Sequence, residues 1–327
     1  VMDELAALVG RRYRLVEYVG DPEAERVVVL MGSAVGAVTE VLDALRADGE
    51  KVGAVVVRLF RPFPSDEVAA AIPSTARAVA VMDRTKEPGA PAEPLYLDVL
   101  SALHAAGRSD LPLVGARYGL GSAELRPRDV KALLDHLGAP RRAGSVTLGI
   151  TDDLSGTSLP VDDSFRVPSR AVQAVFYGLG SDGTVGANKT AITIIGEQTD
   201  LYAQGYFVYD SKKAGSVTVS HLRFGPDPIR STYLVEDDTA DFVACHQFSL
   251  LERIDVLAAA RPRATFLLNS PYPADEVWDH LPAEVQQQVL DKSLDLWVID
   301  AHRVARRLGL GARINTVMQP CFFALSS

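Results

Sequence analysis

Cysteine is almost absent: the 327 residues contain two, Cys245 and Cys321. Two thiols cannot complete a four-ligand zinc or iron–sulfur site. Both sit in apolar surroundings and read as free, buried thiols rather than a disulfide. No apolar run approaches the roughly 18 residues of a membrane-spanning helix, so no membrane contact is expected. The start of the chain has no leader pattern, which makes the cytoplasm the expected compartment. Positive charge is in deficit. The net charge of −9 argues against general nucleic-acid binding. The remaining composition is that of a globular chain, and the length suggests two domains. The chain opens on Val1 and enters a helical pattern at once, as expected of a segment from a longer polypeptide.

Strand and helix patterns then alternate. After a short helix at Met2 to Val9, Tyr13 to Val19 reads as a strand or an extended linker. Arg26 to Met31, Val52 to Leu59, Ala78 to Met82 and Leu113 to Ala116 read as apolar strands. Between and after them, Val38 to Ala47, Asp66 to Ala71, Leu95 to Ala106 and Arg128 to Leu137 carry helical spacing. Near-continuous apolar strands separated by helices predict a doubly wound parallel sheet covered on both faces. The turns at Gly32 to Gly36, Phe60 to Pro64 and Asp83 to Pro88 would lie at its carboxyl edge, where ligands bind in such sheets. The charged run Asp83-Arg84-Thr85-Lys86-Glu87 reads as a site, a solvated loop or a subunit contact.

Residues 146–168 are polar and rich in turn formers, and are expected to link a first domain over 1–145 to a second over 169–327. The second domain is predicted as another α/β layer structure. Its strands are expected at Val172 to Phe176, Leu201 to Tyr209, Val217 to Arg223, Ser231 to Val235, Phe242 to Ala244, Thr265 to Leu268 and Leu294 to Ile299. Its helices are expected at Ala191 to Ile195, Leu250 to Ala258, Ala274 to His280, Glu284 to Leu290, His302 to Leu308 and Thr316 to Ala324.

Gly178 to Thr190 stands between the first of those strands and the first helix. A strand-to-helix turn of this kind aims backbone N–H groups and the positive end of the helix dipole at one point, which suits a phosphate. Gly178, Gly180 and Gly183 have the dinucleotide spacing G-x-G-x-x-G. Gly183 with Asn188, Lys189 and Thr190 approaches a phosphate-loop pattern, with Asn188 at its second glycine. The next strand ends in Tyr209-Asp210-Ser211-Lys212-Lys213. In a βαβ unit the end of this second strand lies beside the glycine turn, where Asp210 can accept from a ribose hydroxyl. Lys212 and Lys213 would suit a phosphate on that ribose. Together they point to NADP or coenzyme A, against a bare turn with solvated lysines.

Other polar residues read more quietly. Cys245 and His246 are adjacent on a strand, so their side chains diverge. A core cysteine beside a hydrogen-bonded histidine is the expected arrangement. Asn269, at a strand end, is either a ligand contact or a helix cap.

Several of these stretches resemble the 2-oxoacid:ferredoxin oxidoreductases. In the first half they are Gly32-Ser33-Ala34, Leu59-Phe60-Arg61-Pro62-Phe63-Pro64 and Met82-Asp83-Arg84-Thr85-Lys86-Glu87-Pro88-Gly89. These resemble a transketolase C-terminal-like domain that supports thiamine-binding parts and subunit packing. In the second half they are Tyr177 to Lys189, Asp200 to Phe207 with Tyr209 to Lys213, Val217 to Pro226 and Ala240 to His246. These resemble the gamma-subunit-like domain of the pyruvate:ferredoxin (flavodoxin) oxidoreductase family. The resemblance implies an enzyme that oxidatively decarboxylates pyruvate on thiamine diphosphate and Mg2+. Electrons would pass through [4Fe-4S] clusters to ferredoxin or flavodoxin, and coenzyme A would take the acetyl group. It implies that this segment binds coenzyme A. Asp210, Ser211, Lys212 and Lys213 would hold its nucleotide end, with Gly180, Ser181, Asp182, Gly183, Asn188 and Lys189 nearby. The cluster-binding cysteine motif and the Gly-Asp-Gly…Asn segment for thiamine diphosphate are missing. Catalytic residues, thiamine diphosphate, Mg2+ and clusters are therefore expected in other domains or subunits, its partners in a full enzyme expected to be a homodimer. The rivals are an NADP-dependent dehydrogenase fragment and a ligand-free structural module.

Overall fold

The computed structural model describes residues 1–151, 154–209 and 216–326. They form two compact units. One comprises Val1–Pro168 with Arg230–Tyr233, the other Ser169–Ile229 with Leu234–Ser327.

The first unit runs α1 (Met2–Val9), β1 (Val16–Gly20), β2 (Arg26–Leu30), α2 (Val35–Ala47), β3 (Val52–Val57), α3 (Ser65–Ala71), β4 (Ala78–Asp83), α4 (Pro94–Ala105), β5 (Leu113–Arg117), α5 (Pro127–Gly138) and β6 (Ser145–Thr147). Its sheet has the order β1-β3-β2-β4-β5-β6. All pairings are parallel except β1 with β3. The valine runs need no alternation, because both faces are buried. Leu42 and Leu45 of α2 and Leu133 and Leu137 of α5 cover one face. Val68 of α3 and Leu95 and Val99 of α4 cover the other. Each such side chain contributes roughly 1.5–3 kcal/mol on full burial. Ser145–Thr147, at the head of the polar stretch, is a sixth strand paired with β5. Leu159, Phe165 and Val167 pack onto the same core.

Two carboxylates of this unit, Asp83 at the end of β4 and Asp129 in the first turn of α5, work as caps. Asp83 is buried and accepts from the Leu95 and Tyr96 amides at 3.0 and 3.1 Å. Asp129 accepts from Arg126 N at 2.8 Å. Burial pushes both carboxyls above the usual range. Arg230–Tyr233, distant in sequence, belongs here through α2: Glu40 accepts from Ser231 N (3.1 Å) and from Tyr233 Oη (2.9 Å).

The second unit runs β7 (Val172–Leu179), α6 (Thr184–Gln198), β8 (Tyr202–Tyr209), β9 (Val217–Gly225), β10 (Ala240–Cys245), β11 (Ala260–Asn269), α7 (Val277–His280), α8 (Ala283–Asp291), β12 (Asp295–Ile299), α9 (Ala301–Arg307) and α10 (Asn315–Leu325). Its sheet order is β12-β11-β10-β7-β9-β8. The first four strands in that order are parallel. β9 runs antiparallel to β7, and β8 antiparallel to β9. One core layer includes Val277, Val285 and Val289. The other gathers Ala191, Ile195, Met318 and Phe322. Phe322 stands edge-on to Phe176 and Phe242, with ring centroids 5.1 and 5.2 Å apart.

Two sequence expectations fail here. Ser231 to Val235 forms no strand, because its polar groups are drawn to Glu40 and its Val235 amide to His221. Leu250 to Ala258 is no α-helix but a 3-10 turn at Phe248–Glu252 followed by further turns. Its apolar residues Leu250, Leu251, Val256 and Leu257 are all buried, so the helix-like spacing reflects burial from a compact turn.

Candidate functional site

The glycine turn leaves the carboxyl end of β7 at Leu179 and becomes α6 at Thr184. Its bend needs two left-handed residues, Ser181 at φ 72° and Gly183 at φ 86°. Gly183 is required twice over, since a Cβ there would sit 2.9 Å from Asn315 Cγ. Asp182 closes the bend upon itself. Its carboxylate accepts from Leu179 N at 2.7 Å and from Thr184 N at 2.8 Å. Gly180 N donates to Ser216 O at 2.8 Å. Part of the turn's donor set is therefore spent on the protein's own carboxylate and carbonyl.

The expected βαβ geometry is not present. β9 is inserted between β7 and β8, so the strand that ends at Tyr209 is not the immediate neighbour of the turn. The physical reason is the hairpin: β8 and β9 pair antiparallel over their length, from Tyr202 opposite Gly225 to Tyr209 opposite Thr218. The ends still lie level. Thr218 pairs with Tyr209 on one side and with Gly178 on the other. Asp210, Ser211, Lys212 and Lys213 lie outside the described residues. Of their described flanks, Ser216 meets the turn through Gly180 N, and Tyr209 pairs with Thr218.

The remaining expected site residues divide. Gly180, Ser181, Asp182 and Gly183 sit together in the turn. Asn188 is buried on α6, and its Nδ2 has no hydrogen-bond partner among the described residues. Lys189 is exposed and stands over the Phe207 ring of β8, 5.4 Å from its centroid.

Behind the turn lies a tie that spacing alone did not single out. His246 follows β10, and its Nδ1 is 2.8 Å from Thr184 Oγ1. Asn269, at the end of β11, donates to His246 O at 2.9 Å and accepts from Ala301 N at 3.0 Å. It thus caps α9 rather than facing a ligand. Burial holds the His246 pKa down to about 4, against the opposing pull of Asp182. Cys245 packs into the opposite core layer, donates to Gln247 O at 3.2 Å, and has its thiol pushed up to about 12 by burial. The signal for this tie was tertiary: Thr184 and His246 follow adjacent parallel strands, an adjacency that appears only with the sheet order.

Among the described residues, no group of three His, Cys, Asp or Glu side chains is placed to hold a metal ion. No described helix is long and apolar enough to cross a membrane.

Fold and turn together define a two-domain α/β protein whose candidate site is a strand-to-helix glycine turn in the second unit. Two family models match it. Residues 24–130 match pyruvate:ferredoxin oxidoreductase core domain II, and residues 173–327 match pyruvate ferredoxin/flavodoxin oxidoreductase. The chain belongs to the pyruvate:ferredoxin/flavodoxin oxidoreductase family, as a segment carrying these two regions. It is 57% identical to a pyruvate-flavodoxin oxidoreductase of Trichormus variabilis, covering 100% of this chain and 28% of that protein. It is 48% identical to a pyruvate:ferredoxin oxidoreductase of Moorella thermoacetica, again over 100% of this chain and 28% of the relative. The chain thus spans little more than a quarter of these relatives. Among solved structures, a pyruvate oxidoreductase subunit from Thermotoga maritima is similar at 15% identity and a TM-score of 0.34, covering 46% of this chain and 74% of that one.

Proposed function

We propose that the chain is the middle segment of a cytoplasmic pyruvate:ferredoxin (flavodoxin) oxidoreductase, and that its second unit binds coenzyme A. The whole enzyme would convert pyruvate and coenzyme A to acetyl-CoA and CO2 and reduce ferredoxin or flavodoxin. The observation that carries this reading is the 57% identity, over the whole of this chain, with part of the pyruvate-flavodoxin oxidoreductase of Trichormus variabilis. Thiamine diphosphate with Mg2+ would supply the decarboxylation chemistry, and [4Fe-4S] clusters the electron path, from other parts of the enzyme. Cys245, buried and with a raised thiol pKa, is poorly suited to be a cluster ligand.

Within this chain the residues suit a phosphate-bearing, amide-bearing ligand. Lys212 and Lys213 would hold the phosphorylated ribose of coenzyme A, with Asp210 and Ser211 accepting and donating beside it. Gly180, Ser181 and Gly183 would let the ligand approach the backbone closely. Asn188 offers a carboxamide N–H without a partner among the described residues, and Lys189 a further charge. The insertion of β9 weighs against the NADP reading, which needs adjacent parallel strands to share pyrophosphate and ribose.

Calorimetric titration of the chain with coenzyme A, 3′-dephospho-coenzyme A and NADP tests this. Coenzyme A is expected to bind and to weaken by about tenfold or more without its 3′-phosphate. Lys212→Ala with Lys213→Ala is expected to remove that preference. NADP binding as tightly would favour the dehydrogenase reading, and silence from all three ligands would leave a scaffold.

A further inference from the structure

Thr184 is clamped from three sides. Asp182 takes its amide. His246 Nδ1 shares a hydrogen bond with its hydroxyl. Gly178 lies so close that a Cβ there would be 2.4 Å from Thr184 Oγ1. His246 is itself held by its backbone and its ring. Its amide donates to Tyr177 O at 2.9 Å, its carbonyl accepts from Asn269, and its ring stands edge-on to Phe176 at 90° and 6.2 Å. With 2% exposure, the imidazole has no solvent to fall back on, so an unmade bond here is costly. Such a clamp is more than α6 needs to start. Helix starts are ordinarily satisfied by one capping side chain, and Asp182 already serves.

We propose that His246 is a positioning residue for the glycine turn: it fixes the Thr184 side chain at the first position of α6 and so sets where the turn's amides stand. The consequence for ligand binding rests on the coenzyme A reading above; the positioning does not. His246 and Thr184 touch no ligand in this scheme. They hold the strand ends β7, β10 and β11 in one frame, through Thr184, His246 and Asn269 in turn.

The test uses the whole chain with Thr184→Val, which keeps the shape and removes the hydroxyl, and Thr184→Ser, which restores it. Hydrogen exchange of the amides at 183–187 reads the positioning without any ligand. In Thr184→Val these amides are expected to exchange about tenfold faster, with the β11 amides unchanged. Thr184→Ser is expected to return them to within about twofold of the parent. Coenzyme A titration runs in parallel, with about tenfold weaker binding in Thr184→Val alone. If no variant binds coenzyme A yet only Thr184→Val loosens the turn, the positioning stands and the coenzyme A reading falls. Unchanged exchange at 183–187 in Thr184→Val overturns the positioning. So does a rise spread evenly through the second unit, or one that Thr184→Ser fails to reverse.

Discussion

Gly178→Ala is the sharpest test of how the turn is built. The added Cβ would meet Thr184 Oγ1 at 2.4 Å, Thr184 Cβ at 2.8 Å and Asp182 Oδ2 at 2.9 Å. Real Cβ atoms do not tolerate such approaches, and neither neighbour is free to yield. Moving Thr184 breaks its bond to His246 and leaves a buried imidazole short of a partner, at about 1–3 kcal/mol. Moving Asp182 releases the Leu179 and Thr184 amides. Overpacking a tight site adds roughly 1–3 kcal/mol. Because one shift relieves part of the other, the net loss is expected near about 3 kcal/mol. For a domain of this size that lowers the melting midpoint by about 6–12 °C. Gly196→Ala is the control. It lies in α6, the helix that follows the turn, with nothing within 4 Å of its added Cβ, and is expected to stabilise by up to about 1 kcal/mol. Calorimetry of both variants reads the pair. A Gly178→Ala protein that melts with the parent would refute the packing argument, because no flexible side-chain end is available to absorb the contact.

Burial holds His246 and His221 at pKa values of about 4, His221 helped by Arg223. The unfolded chain takes up those protons near the ordinary 6.5, so the folded state binds fewer. Stability is then full above about pH 6.5 and falls toward pH 4 by up to about 1.4 kcal/mol per pH unit per histidine. Urea denaturation across that range is expected to show a shallower slope in His221→Gln, and equal slopes would contradict it. Gly36→Ala should unlatch the 230–233 segment, since its Cβ would fall 1.9 Å from Arg230 O. Faster amide exchange at Ser231 is the readout, and unchanged exchange would count against the latch. Arg117→Ala would strip the partner from Glu93, which is 3% exposed and paired at 2.5 Å. A cost of about 3–5 kcal/mol is expected by denaturation. Arg170→Ala removes a pair of the same 2.5 Å length, with both side chains exposed, and should leave stability unchanged within error. Similar losses from the two would mean that burial does not set the difference.

The contrast between what was and was not legible has a physical origin. Local periodicity is a property of consecutive residues, so the valine-rich strands β2, β3 and β4 and the turn at 178–184 could be read before any packing was known. Sheet order is not local. Nothing in Leu201 to Tyr209 tells whether that strand pairs with β7 or with a hairpin partner still to come, and the antiparallel pairing of β8 with β9 settled it. One misplaced neighbour then altered the chemistry inferred for the site. With adjacent parallel strands, Asp210 would have reached across to the turn as in a dinucleotide fold. With β9 between them, β8 and the turn's strand β7 are not neighbours. The turn also carries Asp182, whose carboxylate already takes the Leu179 and Thr184 amides. A phosphate brought to that point would meet a like charge where a dinucleotide turn offers free N–H groups. Under the coenzyme A proposal, the ligand's phosphates would therefore be held away from the glycines. Under that proposal the glycines would leave room for a neutral stretch of ligand. A long molecule with its charge at one end and amides along the rest would satisfy that division, and a compact dinucleotide with its charge at the centre would not.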